Sequence, residues 1–121
     1  MTRLDHHAAL FDSTYLRWFD LQDYPALVKI IQAEKKEVTL PGGVVKNKGV
    51  LYFELMEGRI ETVKPLVLNR TNRVSIAKIH GKWVKEWPGK EIVLFQDECR
   101  GVEGDMVECI RIRARKAAKA E

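Results

Sequence analysis

Between Tyr24 and Arg113, hydrophobic and polar positions alternate with a period of two in five stretches, and a single internal stretch shifts to a helical period. Pro25 opens the first, in which Ala26, Val28 and Ile30 share one face before a polar QAEKKE segment leads on to Val38 and Leu40. This predicts a long strand that bends about a solvated middle, ended by a turn at Pro41, Gly42 and Gly43. From Gly49 to Leu55, Leu51, Phe53 and Leu55 alternate with Val50, Tyr52 and Glu54, the pattern of a half-buried second strand. Pro65 to Leu68 predicts a short third strand. Asn69 or Thr71 can cap a helix over Asn72 to His80 that Gly81 closes, with Val74, Ala77, Ile76 and Ile79 as its apolar side. Pro88 and Gly89 then predict a turn, Glu91 to Gln96 a fourth strand, and Met106 to Arg113 a fifth after a hairpin loop with Gly101 and Gly104.

Three strands, a helix and two strands form the plan of the OB-fold, a five-stranded Greek-key barrel that binds oligonucleotides or oligosaccharides across strands 2 and 3. The expected class is therefore all-β with one internal helix. A short N-terminal helix is also expected, capped by Ser13 and carrying Tyr15, Leu16, Trp18, Phe19 and Leu21 against one end of the barrel. Residues 1–12, with His6 and His7, read as a flexible hydrated arm, residues 13–113 as the domain, and residues 114–121 as a basic tail.

A chain of 121 residues, 45% of them hydrophobic, supplies one core and one domain. No apolar stretch reaches the roughly 18 residues of a membrane-spanning helix, and the N-terminus lacks the h-region of a signal peptide, so a cytoplasmic protein is expected. Cys99 and Cys109 are too few for a disulfide framework and read as reduced thiols; no zinc site or other cofactor is expected.

Charge sharpens the picture. The net charge is +4, but residues 1–60 balance, so the excess lies in the second half. Residues 64–90 hold seven basic groups against Glu86, and residues 111–121 hold five against Glu121. Residues 91–110 run the other way, with six acidic groups against Arg100. Clustered cations are the footprint of a phosphate-backbone binder. No P-loop, G-x-S-x-G elbow or calcium loop is present, and His80 reads as a helix C-terminal group, so no enzyme is expected.

Alternation selects the binding candidates. Tyr52 falls opposite Leu51 and Phe53 and is the stacking candidate; Lys46 and Lys48 enter its strand; Arg59 and Lys64 lie in the following connection. Arg70 and Arg73 follow the third strand, and Arg111 and Arg113 share the outward face of the fifth. Trp83 and Trp87 read as core or rim residues. The expected ligand is single-stranded DNA. The acidic loop DECRGVEGD, where an OB-fold would contact nucleic acid, supports the alternative of a protein-interaction module without nucleic-acid binding.

The phrases STYLRWFDL (13–21), KGVLYFE (48–54), KPLVLNRTN (64–72), WPGKEIVLF (87–95) and VECIRIRAR (107–115) resemble a family of small phage and prophage proteins. The resemblance covers most of Ser13 to Arg113. It implies an OB-like single-strand binder in phage replication or recombination, with phage or host replication proteins as further partners and self-association open. The long MEGRIETV connection and the basic tail depart from the family pattern. An acidic C-terminal tip of the kind that recruits partners in bacterial single-strand binding proteins is not among the residues here.

Overall fold

The computed structural model describes residues 14–39, 42–100 and 104–115. Five strands form one antiparallel sheet: β1 (Ala26–Thr39), β2 (Val45–Glu57), β3 (Leu66–Leu68), β4 (Glu91–Arg100) and β5 (Met106–Arg113). One α-helix, α1 (Arg70–His80), lies between β3 and β4. The order across the sheet is β3-β2-β1-β4-β5, so β1 sits in the centre although it comes first in the chain.

The element order matches the alternation in the sequence, but the expected barrel is not closed. β3 and β5 are the two edges of an open sheet. The cause is local: β3 has only three residues before Asn69 starts the helix, too few to build a second ladder. The helix occupies the gap instead. The buried Asn72 donates from Nδ2 to the carbonyl of Ile110 on β5 at 2.9 Å, serving a backbone group that a neighbouring strand would otherwise serve. Ile76, also fully buried, joins the apolar interior that Val28, Ile30, Leu51, Leu66 and Ile92 build from the sheet.

Asn69 caps α1, its side chain accepting from the Asn72 N–H at 2.8 Å. Val74, expected on the apolar side of the helix, is instead exposed, because the buried stripe runs through Asn72 and Ile76 with Ala77 and Ile79 at its flank. At the other end the Trp87 indole donates to the carbonyl of Gly81 at 2.8 Å, and its ring, 2% exposed, fills the core. His80 does not cap its own helix: its Nε2 bonds the carbonyl of Glu91 at 2.7 Å and ties α1 to β4.

β1 bends where the sequence turns polar. A bulge at Ile31 separates the pairs Ile30↔Phe53 and Gln32↔Tyr52. Up to Lys29, β1 pairs with both β2 and β4, and Ile30 exchanges hydrogen bonds with Gly89 and Lys90; beyond, it pairs with β2 alone. The result is a two-stranded ribbon extending past the body of the sheet. β4 and β5 form a second ribbon, paired from Val93↔Arg113 out to Arg100↔Met106, with Asp97, Glu98, Asp105 and Glu108 exposed on it.

The N-terminal segment differs from the expected helix. Leu16 donates its N–H to the carbonyl of Pro65, and a single 3-10 turn at Trp18–Leu21 follows, with the Asp20 carboxylate accepting from the Arg17 N–H at 2.8 Å. The turn docks on β4 through Gln96 Nε2 to the Trp18 carbonyl and Trp18 Nε1 to the Asp97 carbonyl. Ser13, the arm at 1–12 and residues 116–121 of the tail lie outside the described residues. Among the described residues no helix is long and apolar enough to cross a membrane.

Candidate nucleic-acid interface

The bulge at Ile31 decides which polar residues meet. Before it the even positions Ala26, Val28 and Ile30 point inward; after it the register pairs Ala33 with Leu51 and Lys35 with Gly49, so Ala33 and Lys35 take the inner face. That change of phase aims Lys35 across the inner side of the ribbon. Gly49, flanked by Lys35 and Leu68, has no side chain to fill the space in front of it.

A groove of about 500 Å³ lies there. Its apolar floor comes from Ala33, Gly49, Leu68, Val84 and Trp87, and its rim carries Lys35, Lys48, Arg70 and Arg73 with a single acid, Glu34. Asn69 and Arg70 place the start of α1 at the same groove. Amide groups in the first turn of a helix have no intrahelical acceptor, and the helix dipole adds positive potential there. One residue before Val84, Trp83 is 58% exposed, with the Lys82 ammonium 5.3 Å from its ring centroid.

Three of the cations expected from the sequence, Lys48, Arg70 and Arg73, therefore share one groove although they come from β2 and α1. Lys46 is exposed further out on the β1–β2 ribbon, opposite Val38. Lys64 is half-buried in the connection before β3. Arg59, Arg111 and Arg113 do not line the groove. Arg59 lies over the Tyr24 ring, Arg113 over the Phe95 ring, and the register places Arg111 opposite Phe95 and Arg113 opposite Val93, on one outward face of β4 and β5.

Tyr52 faces outward, on the side opposite Leu51 and Phe53, and is half-buried. Its hydroxyl donates to Glu34 Oε2 at 3.0 Å and accepts from Lys36 Nζ at 3.3 Å. The hydrogen bond to Tyr52 raises the pKa of Lys36 above its ordinary value. Tyr52 thus does not line the groove itself, but its hydroxyl holds the carboxylate of the rim residue Glu34 and the Lys36 ammonium.

One groove cation, Lys35, is not among those selected from the sequence. Lys35 looked like one charge within a solvated polar segment, and the signal that singles it out is the switch of apolar positions from even (Ile30) to odd (Ala33). Trp83 and Trp87 lie four residues apart in one basic linker, and nothing in the local pattern separates the buried ring from the exposed one.

The β4–β5 ribbon holds both cysteines as free thiols. Cys99 lies opposite Val107 and Cys109 opposite Asp97, so the two are diagonal neighbours. Burial, followed by a hydrogen bond to Cys99, pushes the Cys109 thiol up to about 12. Among the described residues no group of three or more His, Cys, Asp or Glu is placed to hold a metal ion. No protein-family model, curated protein or solved structure matches this chain.

Proposed function

We propose that this protein binds single-stranded DNA with little sequence preference, in the groove between the β1–β2 ribbon and the start of α1. The observation that carries the reading is the convergence of Lys35, Lys48, Arg70 and Arg73 on one apolar-floored groove that holds a single acid. Such a groove suits a phosphate backbone tracked by cations, and the exposed Trp83, next in sequence to the lining Val84, offers a flat surface for a base. Basic side chains contact phosphates regardless of sequence, which accounts for the low expected specificity.

The proposal includes the finer fold. The sheet order β3-β2-β1-β4-β5, with the helix between β3 and β4, supports reading the domain as an OB-fold opened between strands 3 and 5. The two projecting ribbons then correspond to the loops that flank the ligand in that fold. The resemblance to phage proteins adds a setting of phage DNA replication or recombination in the cytoplasm of a bacterial host, with replication proteins as partners and binding rather than catalysis as the activity. A second reading, a protein-docking role for the acidic β4–β5 ribbon, draws on its exposed Met106 and Val107 beside Asp105 and Glu108.

Fluorescence anisotropy with labelled oligo-dT at low salt tests the proposal. Saturable binding that an Arg70→Ala/Arg73→Ala variant weakens supports it. A folded protein that ignores the oligonucleotide at every concentration sinks it and leaves the docking role as the reading to pursue.

A further inference from the structure

Away from the groove, at the start of β1, two arginines are laid over two aromatic rings. The Arg59 guanidinium carbon is 4.6 Å from the centroid of Tyr24, and that of Arg113 is 5.9 Å from the centroid of Phe95. Tyr24, Pro25 and Arg113 line two adjoining clefts of about 260 and 290 Å³, with Phe95 in the second. Tyr24 remains 48% exposed.

The turn that presents Tyr24 is held under strain. Gln22 and Asp23 are consecutive non-glycine residues at φ 56° and 62°, in the left-handed region that L-residues avoid. Gln22, itself buried, keeps the turn in place by donating from Nε2 to the carbonyl of Arg59 at 2.6 Å. The same contact fixes the backbone of Arg59 beside the ring on which its side chain lies. On β5, Arg111 shares the face of Arg113, and its Nη1 is shielded from solvent without a hydrogen-bond partner. Acids are present too: Asp23 and Glu57 line the clefts, while Glu91 is taken by Arg115 at 2.6 Å.

A guanidinium stacked on a ring keeps its in-plane N–H donors at the edge and offers its other face to a further flat group. A carboxylate would use the donors and leave the Tyr24 ring idle; a nucleotide uses both, the base stacking and the phosphate bonding. We propose that the Tyr24–Arg59 and Phe95–Arg113 cation–π pairs form a second contact for single-stranded nucleic acid, engaged by the strand that also occupies the groove.

The inference rests on the groove being a nucleic-acid site. From Lys35 at the groove to Leu27 at the clefts is eight residues of β1, about 26 Å along the strand, and the change from its inner to its outer face lengthens the path further. Binding sites on OB-folds span roughly 4 to 16 nucleotides, so a strand of about 4 reaches one contact and a strand of about 16 reaches both. Once the first contact is made the second is intramolecular, and the longer strand gains affinity through effective concentration.

The test compares oligo-dT of 4 and 16 nucleotides by anisotropy at one fixed low salt, using wild type, Arg59→Ala/Arg113→Ala and Arg70→Ala/Arg73→Ala. The Arg59/Arg113 variant is expected to weaken the 16-mer at least tenfold and to leave the 4-mer unchanged. A 16-mer affinity that stays at the wild-type value, or an equal loss for both lengths, overturns the second contact while the groove stands if Arg70→Ala/Arg73→Ala still weakens 4-mer binding. Absence of binding by wild type to either length instead refutes the groove, and this inference with it. Should the alanine variant unfold, Arg59→Lys/Arg113→Lys keeps the charge and removes the planar stack. It is expected to weaken the 16-mer severalfold, and wild-type affinity from that variant also overturns the proposal.

Discussion

The salt dependence of binding follows from the number of cations in the groove. Each phosphate neutralised on a single strand contributes about −0.7 to the slope of log K against log salt. Lys35, Lys48, Arg70 and Arg73 set an upper value of about −2.8, and the charge of Glu34 on the same rim lowers it toward about −2.1. A short oligo-dT confined to the groove should therefore lose about 20- to 50-fold in affinity between 50 and 200 mM salt. Replacing Arg70 and Arg73 by alanine removes two of the four cations and should flatten the slope by about 1.4, leaving a loss of about three- to sevenfold over the same range. Glu34→Gln should act in the opposite direction, tightening binding and steepening the slope. Anisotropy titrations of a labelled 4-mer at five salt concentrations give all three slopes. A wild-type slope near zero, or one that Arg70→Ala/Arg73→Ala leaves intact, would refute the counting on which the groove is assigned.

Three further outcomes are expected. Trp83→Ala should weaken oligonucleotide binding by about 1 to 3 kcal/mol, one base stack, with no change in thermal stability because the ring is 58% exposed. Asn72→Ala should destabilise the fold by about 1 to 3 kcal/mol in urea melts, since it leaves the Ile110 carbonyl buried without its 2.9 Å donor. Cys109, with its thiol pushed up to about 12, should resist alkylation at pH 8 in the native protein and react readily in urea. The linkage has a definite sign: folding holds the proton on this thiol, so its contribution to stability is full below the ordinary value of 9.0 and is lost as pH rises from there toward about 12.

The sequence made the element order legible because alternation of period two is a direct record of one face buried and one face wet. Leu51, Phe53 and Ile110, Ile112 carried that record without interruption, and their strands lie where the pattern puts them. β2 runs further than its apolar core suggested, from Val45 to Glu57, since ribbon pairing with β1 needs only backbone groups. Closure was not legible. Whether β3 meets β5 depends on strand length and on Asn72 reaching Ile110, a contact 38 residues apart that no local pattern reports. The site was partly legible for the same reason. Lys48, Arg70 and Arg73 stood out as cations near strand ends, whereas Lys35 needed the bulge at Ile31 to be known, and Arg59 and Arg113 needed the rings of Tyr24 and Phe95 located in space.

Amide chemical-shift mapping of the ¹⁵N-labelled protein against unlabelled oligo-dT tests the central claim most directly. The largest shifts at low salt are expected on residues 33–35, 47–49, 69–73 and 82–87, and they should collapse at high salt. Shifts confined to the acidic β4–β5 ribbon, or none at all, would contradict that claim.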